Sequence, residues 1–314
     1  MVEPDLGARM TSSDPHAATM TGEEHAAPAV EIGSVLASRY EVLSVLGAGA
    51  MGTVLRVHDR ELDETLALKV LHTHAHGDVA RDARALDRFR QEVKLARRVT
   101  HKNVARTFEL GESGGLRFIT MELVEGESLA RLIERRKALP PNEAVPLLAG
   151  ICDGLAAAHA ASVIHRDIKP ENVLIETTGR VVVTDFGIAK QHDPGDASRT
   201  QQIVGTPFYM APEQVEGIAA TPRSDLYALG VVAYEMLVGE PPWSGGTVAQ
   251  VAFRRLFEPP PDPRLKKREL SDALASAVMK CMARQPADRF DSALAVRDAL
   301  VHSIRASVAP QPAP

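Results

Sequence analysis

A polar motif in the middle of the chain, His165–Asn172 (HRDIKPEN), brings a carboxylate, two cations and an amide close together. Pro170 forbids a regular helix here, so the motif is predicted to be a loop that follows an apolar helix. A second motif, Asp185-Phe186-Gly187, follows the apolar strand Val181–Val183. Asp185 and Asn172 together offer the hard oxygen ligands that suit Mg²⁺. The alternative for the second motif is an ordinary turn at a strand end.

A glycine-rich segment, Gly47–Val54 (GAGAMGTV), lies near the start of the folded region. Glycines at this spacing let a backbone approach phosphate oxygens without a clash from Cβ. A dinucleotide-binding fold would need a helix directly after Gly52, whereas Thr53–Val57 is β-branched and predicts a strand. A hairpin turn that is simply rich in glycine remains the alternative.

A lysine inside an apolar strand, Lys69 of Leu66–Val70 (LALKV), is the fourth feature. Its ammonium is expensive to bury unless it is paired. Glu92 is the predicted partner, because it lies on a helix face with Phe89 and Ala96 at spacings of three and four residues. The alternative is a lysine whose head group reaches solvent.

A fifth segment, Gly205–Glu213 (GTPFYMAPE), precedes a deeply apolar helix. A polar stretch rich in Ser, Thr and Gln, Gln191–Gln202, lies ahead of it. These features add a polar segment and an acidic residue to the same half of the chain as the two central motifs.

The elements around the motifs change character along the chain. Short strands are predicted at Tyr40–Leu46, Thr53–His58, Thr65–Leu71 and Phe118–Leu123, with one helix before the last of them. After Glu125-Gly126 the pattern is mostly helical, most clearly at Ala144–Ala161 and Leu226–Val238. A β-rich part joined by a short connector to a helical part predicts an α+β fold of two lobes with a cleft between them.

Composition narrows the class of protein. The chain has 314 residues, 45% hydrophobic and 25% charged, as in an ordinary globular protein. A net charge of −5 disfavours nucleic acid as a partner. Two distant cysteines make no disulfide framework and suit a reducing compartment. Asp153 and Glu235 interrupt the most apolar stretches, so no membrane span is expected.

Together, the glycine loop, strand lysine, helix glutamate, HRD-x-K-x-x-N, DFG and APE motifs resemble the eukaryotic-like protein kinases in order and spacing. The resemblance runs from Arg39 to about Ser303 and implies a bilobal protein kinase fold. On this basis we expect a disordered leader over 1–35 and a kinase domain over 36–304, followed by a Pro-rich tail over 305–314. Within the domain, the N-lobe would cover about 36–121, the hinge 122–126 and the C-lobe 127–304.

The resemblance also implies a role for individual residues. Asp167 would accept the proton of the substrate hydroxyl, Lys169 would neutralise charge near the transferred group, and Lys69 would hold ATP phosphates, positioned by Glu92. Asn172 and Asp185 would hold Mg²⁺, for which Mn²⁺ can substitute. The ATP-binding residues would be Leu46, Gly47, Ala48, Gly49, Ala50, Met51, Gly52, Thr53, Val54, Ala67, Lys69, Met121, Glu122, Val124 and Leu174. Structural or regulatory roles would fall to Arg166, Phe186, Thr206, Glu213, Asp225 and Arg289, with Glu213 and Arg289 as an ion pair.

Lys169 and Thr206 are similar to the Ser/Thr class, and the compact lobes and the GTPFYMAPEQ segment are similar to bacterial members. The resemblance therefore implies ATP-dependent phosphorylation of Ser and Thr in protein substrates, in signal transduction. Arg166 before Asp167 implies an activation loop controlled by phosphate. Thr200 is the preferred site and Ser198 the second, modified in trans within a homodimer. The chain would be cytoplasmic, or the cytosolic portion of a longer membrane protein.

Two other functions fit the same fold class. One is a kinase-shaped scaffold without catalysis, which loss of Lys69, Asp167 or Asp185 would have favoured. The other is a small-molecule phosphotransferase, against which the APE segment argues. The alternating histidines His72, His74 and His76 could bind a transition metal, but a solvated loop is the preferred interpretation because no cysteine or carboxylate completes the site.

Overall fold

The computed structural model describes residues 30–49, 52–71, 79–186 and 207–308. Those from Glu31 onward belong to one compact unit. The alternating histidines His72, His74 and His76, together with Ala50, Met51, Ser198, Thr200 and Thr206, lie outside the described residues.

The first part of the chain forms a six-stranded sheet with one helix. Its strands are β1 (Val35–Leu36), β2 (Tyr40–Gly49), β3 (Gly52–Asp59), β4 (Glu64–Leu71), β5 (Thr107–Ser113) and β6 (Leu116–Met121), in the order β1-β2-β3-β4-β6-β5. All neighbours are antiparallel. Helix α1 (Val79–Ala96) lies between β4 and β5 in sequence and contacts β5.

The β-branched and apolar residues of these strands alternate as a half-buried sheet requires. Leu55, Val57 and Leu68 are fully buried on the inner face. Tyr40 and Phe118 meet edge to face, with ring centroids 5.7 Å apart. This small core fixes the register of β3 and β4, and therefore which face of the sheet carries Lys69.

The second part is mainly helical and includes a small three-stranded sheet. That sheet consists of β7 (Gly126–Ser128), β8 (Val173–Glu176) and β9 (Val181–Val183) in this order. The helices are α2 (Leu129–Arg136), α3 (Pro141–Ala160), α4 (Pro212–Val215), α5 (Pro222–Val238), α6 (Val248–Phe257), α7 (Asp272–Cys281) and α8 (Ala293–Val308).

Helix α5 is the centre of the helical lobe, because nearly all of its side chains are buried. It packs against α3 and α7, and α8 packs against α3. A helix that is apolar on every face is stable only when other elements surround it. The rigid position of α5 matters for the site, since Asp225 lies in its first turn.

The predicted bilobal α+β fold is thus confirmed, and its regular structure extends a few residues beyond the predicted bounds of the domain. The sheet begins before residue 36: Gly33 donates to the Val42 carbonyl at 2.8 Å, and Val42 donates to that of Ser34 at 2.9 Å. At the other end, α8 continues to Val308 and not 304. The prolines that would stop a helix begin only at Pro310, so nothing breaks it earlier.

Candidate active site

The HRD loop is held by a single buried carboxylate, that of Asp225 at the start of α5. Its Oδ2 accepts from the His165 amide and its Oδ1 from the Arg166 amide, both at 2.8 Å. The Nε2–H of His159, in the last turn of α3, donates to Oδ2 at 2.8 Å. One side chain of 1% exposure therefore joins α3, α5 and the loop. A role for Asp225 was predicted from the sequence but one for His159 was not, although its position six residues before His165 was an available signal.

Two residues of the motifs adopt backbone angles that favour glycine. Arg166 has φ of 65° and Asp185 has φ of 55°. For a residue with a Cβ this region costs about 1–2 kcal/mol. The hydrogen bonds to Asp225 offset that cost at Arg166. The two turns direct the Arg166 and Asp185 side chains towards the lobe interface, where each meets a charge of the N-lobe.

His165 joins the two motifs from inside. It is fully buried, its Nδ1 accepts from the Asp167 amide at 3.2 Å, and its Nε2–H donates to the Thr184 carbonyl at 2.8 Å. Its ring packs on Phe186, with centroids 4.6 Å apart. Burial lowers the pKa of His165 below its usual value, which keeps the ring neutral. The neutral form with a proton on Nε2 is the one that satisfies both hydrogen bonds.

Asp167 lies among donors that fix its carboxylate. Asn172 Nδ2 donates to the Asp167 main-chain carbonyl at 2.8 Å and to its Oδ2 at 3.3 Å. The Lys169 ammonium lies 3.4 Å from the same Oδ2. The structure thus brings the predicted proton acceptor, the predicted charge-neutralising lysine and a predicted metal ligand into one cluster.

The two predicted metal ligands are held next to each other by main-chain geometry. Val173 and Val183 face each other in the β8–β9 ladder. The Thr184 amide donates to the Asn172 carbonyl at 2.9 Å, so Asn172 lies beside the residue that precedes Asp185. An amide oxygen and a carboxylate suit Mg²⁺. Within the described ranges there is no group of three His, Cys, Asp or Glu side chains that could bind a metal ion. A divalent ion at this pair would therefore need further oxygen ligands, such as phosphate oxygens.

The predicted pair of Lys69 with Glu92 is not formed in this structure. Lys69 Nζ lies 2.7 Å from Asp185 Oδ1, while Glu92 Oε1 accepts from Arg166 Nη1. The remaining Glu92 oxygen, Oε2, is buried and has no partner among the described residues. Each charge is neutralised by an element of the C-lobe, because the left-handed turns at Arg166 and Asp185 point both side chains at the N-lobe. Spacing along α1 could not reveal this exchange of partners.

The predicted adenine-binding residues share one face of the N-lobe sheet. Val54 faces Lys69 across β3–β4, and Ala67 faces Met121 across β4–β6. Ala67 and Lys69 are two residues apart on one strand, so their side chains point to the same face. Leu174 lies on β8 of the other lobe. Lys69 on this face contacts Asp185 of the other part of the chain, so the face is turned towards that part.

The described residues of the glycine-rich segment belong to the end of β2 and the start of β3. Ala48 faces Thr53 and Gly49 faces Gly52, while Leu46 is exposed. Gly52 has φ of 149°, and a Cβ there would lie 2.0 Å from the Val70 carbonyl oxygen. Only glycine permits this close approach to the strand that carries Lys69.

The hinge makes a contact that the sequence analysis missed. Arg180, at the turn before β9, donates from Nη2 to Glu122 Oε1 at 2.6 Å and from Nε to the Lys102 carbonyl at 2.6 Å. Glu122 Oε2 also accepts from the Arg106 amide at 3.1 Å. The side chain of Glu122 therefore holds the predicted hinge in place. The next predicted ATP-binding residue along the hinge is Val124.

The predicted Glu213–Arg289 pair is present as a buried, bidentate ion pair. Both of its N–O distances are 2.7 Å, and Ser224 Oγ also donates to Glu213 at 2.7 Å. Burial alone would raise the pKa of Glu213, but the hydrogen bonds from Arg289 and Ser224 more than offset this and leave the pKa lowered. The pair joins α4, which carries Glu213, to the segment between α7 and α8, which carries Arg289.

The two lobes, the glycine hairpin and the clustered motifs define a phosphotransferase domain of the kinase type. A family profile described as "Protein kinase domain" matches residues 40–302. The chain belongs to the protein kinase family, and its relatives place it among the bacterial Ser/Thr kinases of that family. Members of the family use ATP and a divalent metal ion.

Three relatives illustrate the likeness. The chain is 36% identical to "Serine/threonine-protein kinase PknB" of Mycobacterium leprae, over 88% of this chain and 45% of the relative. It is 35% identical to "Serine/threonine-protein kinase PrkC" of Bacillus subtilis, over 83% of this chain and 40% of the relative. The PknI kinase domain of Mycobacterium tuberculosis has a TM-score of 0.69 at 29% identity, over 88% of this chain and 99% of that one. The chain thus spans less than half the length of the PknB and PrkC relatives.

No helix in the described ranges is both long and apolar enough to cross a membrane.

Proposed function

We propose that this chain is an active Ser/Thr protein kinase that transfers the γ-phosphoryl group of ATP to hydroxyl groups of proteins. The observation that carries the proposal is the cluster around Asp167. Its carboxylate lies 3.3 Å from Asn172 Nδ2 and 3.4 Å from Lys169 Nζ, and Asn172 is held beside the turn that contains Asp185. A scaffold without catalysis has no need for these charges at such spacing.

In the proposed mechanism Asp167 accepts the proton of the attacking hydroxyl and orients it. Lys169 neutralises charge on the group in transfer, and Lys69 holds the phosphates of the nucleotide. Asn172 and Asp185 would hold Mg²⁺, or Mn²⁺ in its place, and the metal ion would neutralise phosphate charge when bound. Asp185 has a second role here, because its carboxylate also neutralises Lys69.

ATP would bind against the face of the sheet that β3, β4 and β6 form. Val54, Ala67 and Leu174 would enclose the adenine, with Met121 at the back and the main chain of the hinge at its edge. The glycine hairpin would cover the phosphates through backbone amides, which Gly52 allows to come close.

Regulation would act through Arg166. A phosphate on Thr200, and secondarily on Ser198, would carry more negative charge than Glu92 and offer the guanidinium a stronger partner. Arg166 would then release Glu92, whose buried Oε2 has no described partner and which could turn to Lys69. Modification in trans would require two copies to meet, as a transient homodimer.

The setting of the domain is part of the proposal. Both cysteines are free and buried, which suits a reducing compartment such as the cytosol. The PknB and PrkC relatives are more than twice as long as the stretch that they share with this chain. A region outside the kinase domain could carry a signal to it.

The test is a phosphorylation assay with labelled ATP and Mg²⁺, in which dephosphorylated casein and an aminoglycoside are offered separately as acceptors. We expect label in casein and in the chain itself, and none in the aminoglycoside. The matched control is Asp167→Asn, which keeps the size of the side chain and its bond to Asn172. Transfer to casein at the wild-type rate by that variant would contradict the proposed role of Asp167. Labelling of the aminoglycoside alone would show that the substrates are small molecules and not proteins.

A further inference from the structure

A buried arginine in α6 holds the main chain of the segment that follows residue 206. Arg255 is 2% exposed, its Nη1 donates to the Met210 carbonyl at 2.7 Å, and its Nη2 donates to the Phe208 carbonyl at 2.5 Å. Its guanidinium also lies over the Trp243 ring, 5.7 Å from the centroid. The same helix is otherwise amphipathic, and its outer face exposes Phe253 and Phe257.

Removing a guanidinium from water costs free energy, which its hydrogen bonds must offset. Burial lowers the pKa of Arg255, because the charged guanidinium loses its hydration. Two of its nitrogen atoms are used on main-chain carbonyls. A bond of this kind fixes the path of the chain, whatever side chains the segment carries.

The segment that Arg255 holds lies against the catalytic loop. Tyr209 and Met210 line a small cavity together with Asp167 and Ile168. Tyr209 is fixed from the other side, since its hydroxyl donates to Glu235 on α5 at 2.6 Å. A shift of this segment would therefore move the side chains that line the cavity beside Asp167, the predicted proton acceptor.

The segment is also tied to the loop directly. Gln214 Nε2 donates to the Arg166 carbonyl at 3.4 Å, and Gln214 Oε1 accepts from the Ala211 amide at 3.0 Å. Arg255 thus supports one end of a short stretch of chain whose other end touches the HRD loop. Its bonds are made from a helix that takes no other part in the site.

We propose that Arg255 is a positioning residue for the protein acceptor: it sets the path of Phe208–Met210, and with it the surface on which the acceptor chain must lie beside Asp167. The assignment rests on the proposed kinase function. It predicts a residue that governs the use of the protein substrate without governing the use of ATP, whose predicted site lies on the opposite lobe and at the hinge.

The neighbouring Arg254 offers a matched control. It has the same side chain in the same helix, but it is partly exposed, and its ion pair among the described residues is the one along the helix with Glu258, at 3.0 Å. Exposed pairs of this kind contribute little to stability. Arg254→Met therefore removes the same charge and keeps the path of Phe208–Met210.

The experiment compares Arg255→Met, Arg255→Lys and Arg254→Met with the wild-type chain in steady-state kinetics, varying casein and ATP in turn, and records Tm for each. We expect Arg255→Met to raise KM for casein by roughly tenfold and to leave KM for ATP within about twofold. Arg255→Lys should recover part of the loss, because an ammonium can still donate to one carbonyl. Arg254→Met should match the wild type.

An unchanged KM for casein in a folded Arg255→Met would overturn the proposal, as would equal increases of both KM values, which indicate a general structural role. If Arg255→Met does not fold, the same two criteria apply to Arg255→Lys. Absence of casein phosphorylation by the wild-type chain would instead overturn the proposed function, and this role with it.

Discussion

Glu92 on α1 is bound to Arg166 of the HRD loop, and not to Lys69 on the neighbouring strand. The pair is partly buried, with side-chain exposures of 15% and 32%. Arg166 is therefore already occupied in this structure. If the phosphate proposed on Thr200 took the place of Glu92 at Arg166, the modification would be linked to the position of α1.

Replacement of the two candidate phosphorylation sites should have unequal effects. Thr200→Ala should lower the rate of casein phosphorylation more than Ser198→Ala, because only a phosphate placed to reach Arg166 can compete with Glu92. Phosphopeptide mass spectrometry of the active chain, with Lys69→Met as the inactive reference, measures the modification. A fully active preparation without phosphate between residues 191 and 206 would contradict this prediction.

Loss of the strand lysine should abolish turnover and spare the fold. Lys69→Met should reduce kcat/KM by about 10²–10⁴, the typical effect of removing a positioned electrostatic group. The ion pair of Arg166 with Glu92 does not involve Lys69 and should persist. Circular dichroism and Tm check the fold. Near wild-type turnover in Lys69→Met would remove the ATP-holding role from this residue.

Activity should depend strictly on a divalent ion. Asn172 and Asp185 supply few oxygen ligands, so phosphate oxygens must complete the coordination, an arrangement that suits Mg²⁺ and Mn²⁺ better than the larger Ca²⁺. Labelled ATP and casein in excess EDTA should give no transfer, and added Mg²⁺ should restore it. Transfer that continues undiminished in EDTA would exclude the proposed metal site.

Stability should fall with pH below about 6.5, the usual pKa of histidine. Because burial lowers the pKa of His165, the unfolded chain binds a proton in this range that the folded chain does not. The free energy of unfolding therefore decreases as pH falls, by up to about 1.4 kcal/mol per pH unit for one proton.

Urea unfolding between pH 5 and pH 8 measures this slope. His165→Phe keeps a ring against Phe186 but cannot titrate, and should flatten the slope even though it is less stable. Glu213 acts in the same direction only at lower pH, because its lowered pKa gives a contribution that is present above about 4.5 and is lost below it. Equal slopes for the wild type and His165→Phe would assign the pH dependence to other groups.

The hinge contact should matter for nucleotide affinity. Arg180→Met removes the bonds to Glu122 and to the Lys102 carbonyl, and should raise KM for ATP by roughly fivefold with kcat changed less. Both side chains are about a quarter exposed, so the effect of the pair is limited to about 1 kcal/mol. The control is Arg135→Met, an exposed arginine that pairs with Glu127 on its own lobe. Equal KM values for the two variants would show that the hinge is held in another way.

The sequence predicted the lobes and the motifs well, because each motif is local and its residue types have few other uses. Asp167, Asn172 and Lys169 meet within one loop, so their spacing determines their geometry. The partner of Lys69 could not be predicted, since it depends on where α1 lies and on the left-handed turn at Asp185.

The contacts made by His159, Arg180 and Arg255 were missed for a related reason. Each is a polar side chain at the end or on the inner face of an element, and its partner lies far away in sequence. Arg255 lies four residues after Val251, and both are buried on the inner face of α6, as helical periodicity requires. Periodicity identifies the face, but it does not identify the carbonyls that meet it.

The segment between α1 and β5 is attached to the helical lobe by hydrogen bonds of its own, in addition to the contacts made at the hinge. The Val183 amide donates to the Asn103 carbonyl and the Ala105 amide to the Val183 carbonyl, both at 3.0 Å, while Asn103 Nδ2 donates to the Val181 carbonyl at 2.6 Å. Gly154 of α3 allows this contact, since a Cβ there would lie 2.5 Å from the Asn103 carbonyl oxygen.

A rigid body that is held to another at two points keeps one degree of freedom, a rotation about the axis through those points. With the hinge as one point and this attachment as the other, an opening of the cleft would be a single angular coordinate. The Lys69–Asp185 separation would then depend on that one angle, and a single pair of distance probes across the cleft would follow the whole motion.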